Sequence, residues 1–191
     1  MIAGIVLAAG RSTRMGQPKA LLRLEGRTFL DRAIDVLRSG GCVEVYVVVG
    51  LDPEVREAAR ASGAALVVND AADSEQIDSL RLGISALSES TEAVLVLPVD
   101  VPGVEAEVVR SLIETYRRTR APIVIPTAGG RHGHPVLFSR PIWDELFAVD
   151  LPEGARTVVH RHEDRVEVPV DVLPADVDTP ADYRRLLEET G

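Results

Sequence analysis

The chain has 191 residues, a formal charge of −9, and 46% hydrophobic and 27% charged residues, which fits one soluble globular domain over 1–191 with a sizeable core. Its single cysteine, Cys42, excludes an internal disulfide framework and a cysteine-rich zinc site. The acidic balance argues against nucleic acid as a partner, no apolar run approaches the roughly 20 residues of a membrane span, and Met1-Ile2-Ala3-Gly4 lacks the basic region of a secretory leader, so the expected location is the cytoplasm.

Taken in order, Ile2 to Leu7 is an apolar run that reads as a buried first strand. The stretch Ala20 to Leu24 reads as a short apolar segment ended by Gly26. Thr28 caps a helix running to about Arg38, with Phe29, Ala33, Ile34 and Leu37 on one face and Asp31 as its N3 acid. Gly40-Gly41 closes it, and the β-branched run Val43 to Val49 is the second strand. Pro53 opens a helix to Ala61, and Ala64 to Val68 is a shorter strand. Ile77, Leu80, Ile84 and Leu87 recur at helical spacing, so the next helix spans Ile77 to Leu87.

Ala93 to Leu97 is a strongly apolar strand that delivers Pro98-Val99-Asp100-Val101-Pro102. A helix over Val104 to Thr119 and a strand over Ala121 to Pro126 follow. The glycine-rich stretch from Gly129 to Pro135 leads into a strand at Val136 to Phe138. Residues 140–147 and 154–162 read as helices. Pro169 makes Arg165 to Val170 an edge strand, because proline would remove a ladder bond from a central one. Thr179, Pro180 and Asp182 are the N-cap, first residue and N3 acid of a last helix. Strands alternating with helices at this spacing predict a mostly parallel sheet covered by helices on both faces, a Rossmann-like three-layer αβα sandwich.

In such sheets ligands bind beyond the carboxyl ends of the strands. Two loops lie at that end, 8–19 after the first strand and 98–102 after the Val94–Leu97 run. The first offers bare backbone at Ala8, Ala9 and Gly10, hydroxyls at Ser12 and Thr13, and cations at Arg11, Arg14 and Lys19, which together make a phosphate cradle. Between Arg11 and Arg27 five cations stand against one anion, Glu25. A basic island on an acidic chain suits a small anion, since a polyanion needs a broad basic face. The chain has twenty arginines, and Lys19 is its only lysine. A compact ammonium placed there suits a point contact to phosphate oxygens.

The loop fails the P-loop pattern, because Pro18 stands where glycine should precede the lysine. It fails the dinucleotide G-x-G-x-x-G pattern at once with Gly10-Arg11-Ser12. Asp100 beside a phosphate cradle would repel the ligand unless a divalent cation lies between them, and magnesium is the default; a turn aspartate is the alternative. Asp178 is the candidate second ligand, with Asp176 equally placed and helix N-terminal electrostatics a competing role for both. His132 and His134 lack a third soft ligand for zinc. They fit a loop that meets an anionic second substrate, or a turn ordered by Pro135. Cys42 reads as a small core residue with no base to activate it.

The run from Leu7 to Lys19, Leu-Ala-Ala-Gly-Arg-Ser-Thr-Arg-Met-Gly-Gln-Pro-Lys, closely resembles the signature of the MobA-like nucleotidyltransferases. Ile77-Asp78-Ser79-Leu80-Arg81, Asp100, Gly133 to Phe138, Gly154-Ala155-Arg156 and Asp178-Thr179-Pro180 resemble further blocks of that family. Ala9 together with Gly133-His134-Pro135 is most similar to its molybdenum cofactor cytidylyltransferase branch. Val99 departs from the glycine that commonly precedes the aspartate, and Glu75 to Asp78 from a glycine- and serine-rich run. The resemblance implies a nucleotide-diphospho-sugar transferase type of fold and a magnesium-dependent transfer of CMP from CTP to a phosphorylated acceptor, molybdopterin, with release of pyrophosphate. It implies that Leu7, Ala8, Ala9, Gly10, Arg11 and Ser12 border the nucleotide and that Arg14 and Lys19 neutralise the triphosphate. Ser79 would contact the base, His134 would meet the acceptor, and Asp100 and Asp178 would hold Mg²⁺. A molybdoenzyme or its chaperone is the implied protein partner. GTP, a sugar or polyol phosphate acceptor, and a non-catalytic nucleotide-binding protein are the alternatives.

Overall fold

The first strand, β1, is Ile2–Ala8, and all seven residues are buried, as an unbroken apolar run requires when both faces of a sheet are covered. The computed structural model describes residues 1–190 apart from Arg11, Thr13 and Arg14. After the loop come a 3-10 turn at Lys19–Leu21 and a small hairpin, β2 (Arg23–Leu24) and β3 (Arg27–Thr28). This hairpin replaces the single apolar segment expected there. Glu25 and Gly26 both have positive φ, 50° and 79°, the geometry of a tight two-residue hairpin turn.

Then follow α1 (Phe29–Gly40), β4 (Glu44–Val49), α2 (Pro53–Ala61), β5 (Ala65–Val68), α3 (Gln76–Ser85), β6 (Ala93–Pro98) and α4 (Ala106–Thr119). The C-terminal part adds β7 (Ile123–Ala128), β8 (Arg131–His132), β9 (Val136–Ser139), α5 (Trp143–Leu146), α6 (Ala155–Arg161), β10 (Val166–Pro169) and α7 (Pro180–Thr190). The main sheet runs β10-β7-β9-β6-β1-β4-β5, with β8 folded back on β7. β9 runs antiparallel to its neighbours β6 and β7, and β8 antiparallel to β7. The expected edge strand is the edge strand, β10, paired parallel to β7.

Two apolar cores show why the sheet has helices on both faces. Along β1, Ile2, Val6 and Ala8 belong to one core and Ile5 and Leu7 to the other, the period-two alternation of a pleated strand. β6 repeats this, with Ala93, Leu95 and Leu97 on the first side and Val94 and Val96 on the second. The first core is closed by α1 and α4, the second by α3, α5 and α6. From α1, Phe29, Leu30, Ile34 and Leu37 are at most 1% exposed, and each contributes about 1.5–3 kcal/mol by leaving water. Cys42 is buried too, and burial pushes its thiol up to about 12.

Helix starts follow the capping chemistry. Thr28 Oγ1 accepts from the Asp31 amide at 3.0 Å, and Asp52 Oδ1 accepts from the amides of Glu54 and Val55 at 3.0 Å each, with Pro53 at the first helical position. Two helices shift against the expected bounds. α4 starts at Ala106, because Val104 turns into the core with Val109, the two positions of a hydrophobic staple. α3 begins at Gln76 behind a Glu75–Asp78 capping box and ends at Ser85. Among the described residues no helix is long and apolar enough to cross a membrane.

Candidate active site

The cleft opens where β1 has parallel neighbours on both sides, β4 and β6, whose chains leave in opposite directions; this is the switch point at which open α/β sheets bind ligands. Ala8 aligns with Val49 and Leu7 with Pro98, so three strand ends finish at one level. The loop from Ala8 therefore lies over the sheet edge with little side chain on it. A Cβ built on Gly10 meets nothing within 4 Å, whereas one on Gly50, at the end of β4, would come 2.8 Å from the Ala9 carbonyl oxygen. Gly50 thus lets two strand ends close up beside the cradle, and sequence reasoning passed over it.

Ser12 braces the loop from within. It has a positive φ of 49°, its carbonyl accepts from the Met15 amide at 2.9 Å, and its hydroxyl accepts from the Lys19 amide at 2.9 Å. Met15 is buried in the core below. The expected roles of Arg11, Thr13 and Arg14 fall on residues outside the described ones.

Lys19 stands in the middle of the cleft. Its Nζ donates to Asp100 Oδ2 at 2.8 Å and to Asp178 Oδ1 at 2.6 Å, and its side chain is only 14% exposed. Burial alone would lower its pKa, but the two carboxylates outweigh that and hold the ammonium above its ordinary range. The backbone explains how two aspartates so far apart in sequence meet. Asp100 follows directly on β6, and its carbonyl accepts from the Val177 amide at 2.9 Å. Val177 is 2% exposed and plugged into the core, so Asp176 and Asp178 flank an anchored residue. Only Asp178 of the two reaches Lys19. Desolvation of the Asp176 carboxyl, with Asp100 and Asp178 nearby, raises it above the usual range.

Asp100 and Asp178 therefore aim oxygens at one point, where an ammonium stands in for a cation. Two carboxylates and no soft donor suit a hard divalent ion that completes its shell with water and phosphate. Among the described residues no three His, Cys, Asp or Glu side chains gather as a metal cluster.

The space around this point has two halves. One, of about 610 Å³, is walled by the Leu7–Gly10 backbone, Lys19, Gly50, Asp52, Ser74 and Gln76. The other, of about 1330 Å³, extends over β7 and β9 towards the β7–β8 turn, α6 and Asp176. Leu7, Gln76, Pro98 and Asp178 border both, so the halves are continuous.

Ser79, expected to meet the base, borders neither half. It is 3% exposed, and its hydroxyl accepts from Asn69 Nδ2 at 2.9 Å. Asn69, at the end of β5, also donates to Ser74 Oγ at 3.0 Å and accepts from the Ala71 amide at 3.1 Å. One turn before Ser79 on the same helical face, Gln76 is the residue that reaches the cleft. Gln76, Ser74 and Asn69 carried no motif in the sequence. His134 does border the larger half, where burial lowers its pKa against the pull of Asp100. His132 Nε2 lies 2.7 Å from Glu167 Oε1 on β10.

Comparisons with known proteins bear on this cleft. Nicotine blue oxidoreductase of Paenarthrobacter nicotinovorans is 30% identical over 204 residues, covering 97% of this chain and 96% of that protein. A 2-C-methyl-D-erythritol 4-phosphate cytidylyltransferase of Rhodococcus opacus (strain B4) is 35% identical over 162 residues, covering 80% and 70%. The crystal structure of Rv0371c from Mycobacterium tuberculosis H37Rv has a TM-score of 0.87 at 33% identity, covering 98% of this chain and 97% of that one. The same protein in complex with manganese gives 0.81 at 32% identity, covering 98% of each. The MobA-like NTP transferase domain family matches residues 4–166. That match takes in every part of the cleft except the segment carrying Asp176 and Asp178, and on it this chain belongs to the MobA-like NTP transferase family.

Proposed function

We propose that the chain moves a nucleoside monophosphate, CMP from CTP, onto the phosphate of a small-molecule acceptor and releases pyrophosphate, with molybdopterin as the acceptor its signature loop favours. The observation that carries this reading is the meeting of Asp100 and Asp178 on Lys19 Nζ at 2.8 and 2.6 Å, beside exposed backbone at a strand-end switch point. Asp100 and Asp178 would hold magnesium, which would supply neutralising charge to the triphosphate. The manganese complex of Rv0371c supports a divalent ion of that kind.

The remaining chemistry falls to the chain. The Ala8–Gly10 backbone lets the triphosphate approach without a side chain in the way, and Ser12 holds Lys19 at the loop's far end. The acceptor phosphate oxygen forms a bond to the α-phosphorus, the bond from that phosphorus to the bridging oxygen breaks, and the electron pair leaves with pyrophosphate. A phosphate monoester is largely dianionic at neutral pH, with a second pKa of about 6, so the attack needs no general base. Catalysis is then positioning and charge neutralisation.

A relative named as an oxidoreductase, at 30% identity over nearly the whole chain, favours a second reading in which the cleft serves electron transfer. The two part in one assay. Thermal stabilisation by CTP, GTP, ATP and UTP is measured with magnesium, and pyrophosphate release follows with phosphorylated acceptors. Stabilisation by CTP above the others, with release that needs magnesium, is the expected result. No stabilisation and no release with any nucleotide sinks the transferase reading.

A further inference from the structure

The larger half of the cleft contains polar groups that the proposed transfer leaves unused. Three buried side-chain polar atoms among the described residues have no hydrogen-bond partner, Thr91 Oγ1, His134 Nδ1 and Arg165 Nε. The last two border this one cavity. Arg165 Nε is 3.4 Å from Glu167 Oε1 without a hydrogen bond to it. Buried groups left unpaired cost stability and call for a partner from outside.

Charge in the same wall is unevenly engaged. Asp178 is on Lys19, Glu153 faces His160 at 3.4 Å, and Asp182 accepts from the hydroxyl and amide of Thr179. Arg131, on β8, and Arg156, on α6, border the cavity, and their guanidinium groups have no hydrogen-bond or ion-pair partner among the described residues. Both arginines border only this half of the cleft, which neither Lys19 nor Asp100 lines. A guanidinium offers donors only, in a fork that suits carboxylate or phosphate.

We propose that Arg131 and Arg156 form a second anion site, so that the acceptor carries an anionic group at the end remote from its reacting phosphate, with His134 hydrogen-bonding the body between. The cavity of about 1330 Å³ exceeds the 300–1,000 Å³ usual for a small-molecule site, which leaves room for an acceptor longer than a simple polyol phosphate. That this ligand is an acceptor rests on the nucleotidyl-transfer reading. That the site selects two separated anions does not.

The test titrates the full chain, in excess magnesium, with fructose bisphosphate and with fructose monophosphate by calorimetry. Wild type is compared with Arg131→Gln/Arg156→Gln and with Arg131→Lys/Arg156→Lys. The bisphosphate is expected to bind about tenfold more tightly than the monophosphate, as one further charge-assisted contact gives. The excess should vanish in the glutamine variant and return in part with lysine, while CTP-induced thermal stabilisation stays at the wild-type level. Equal affinities in the wild type, or an excess that survives in the glutamine variant, overturn the proposal. Should CTP stabilise none of the proteins while the arginine-dependent preference holds, the anion site stands and the transferase reading falls.

Discussion

Replacing Lys19 by Met removes the ammonium while keeping most of the side chain's bulk. Lys19 is 14% exposed, Asp100 26% and Asp178 54%, so the pair sits between a surface ion pair, worth under about 1 kcal/mol, and a buried one, whose rupture costs about 3–5 kcal/mol. A cost of about 1–2 kcal/mol follows, or roughly 2–8 °C in melting temperature for a chain of this size. The same energy acts in reverse on a divalent ion. Lys19 holds the two oxygens that metal would use, so metal binding without nucleotide must first displace it. Freed of that competition, the variant should bind manganese about 5–30-fold more tightly, the factor that 1–2 kcal/mol represents. Manganese titration followed by the electron paramagnetic resonance of the free ion reads this directly. Triphosphate affinity should move the other way, by about 10–100-fold, as loss of a charged hydrogen bond implies, with cytidine affinity unchanged. Manganese binding no tighter than wild type would falsify the displacement argument, whatever happens to activity.

Asp178→Asn should lower pyrophosphate release by about a hundredfold or more, whereas Asp176→Asn should keep most of it; the reverse order would assign the metal to Asp176. Gly50→Ala puts a Cβ 2.8 Å from the Ala9 carbonyl oxygen and should cost about 1–3 kcal/mol, read from urea melts, with a weaker response to CTP. His162 is buried enough to lower its pKa, yet Asp164 and Glu145 more than offset this and raise it above the usual 6.5. Its contribution is therefore complete below pH 6.5 and is lost as pH rises through the folded value. The stability lead of wild type over His162→Gln should be largest near pH 6 and shrink above neutrality, and a constant lead would refute the ion-pair account.

Most of the fold was legible because its signals were strong and local. Seven buried residues in β1, the Thr28–Asp31 and Asp52–Pro53 caps, and the Thr179-Pro180-Asp182 start of α7 each follow from a few adjacent residues. Lys19 and Asp100 were legible for the same reason, as a cation and an anion at two strand ends of one edge. What escaped depended on contacts across the chain. Asp178 could not be told from Asp176 without knowing that the Val177 amide bonds to the Asp100 carbonyl. Ser79 sat on the expected helix at the expected face, but Asn69, ten residues earlier, covers it and leaves Gln76 in front. The hairpin of β2 and β3 was missed because Glu25 adopts the positive φ that asparagine usually takes in such turns.

The electrostatics of the cleft constrain the order in which ligands arrive. A nucleoside triphosphate brings roughly four negative charges at neutral pH, and at the centre of the cleft it meets Asp100 and Asp178 already paired with one ammonium. Lys19 cannot serve the triphosphate while both aspartates hold it, and the aspartates cannot lose Lys19 without another cation to take its place. The two exchanges are the same event. Nucleotide and metal should therefore enter together, the ion replacing Lys19 between the carboxylates as Lys19 turns to the phosphates. Each should raise the other's affinity by an equal factor. That reciprocity is measurable as two titrations, CTP with and without magnesium and magnesium with and without CTP. Corrected for the complex the two form in solution, the same factor is expected from both, and coupling lost in Lys19→Met would assign it to this one side chain.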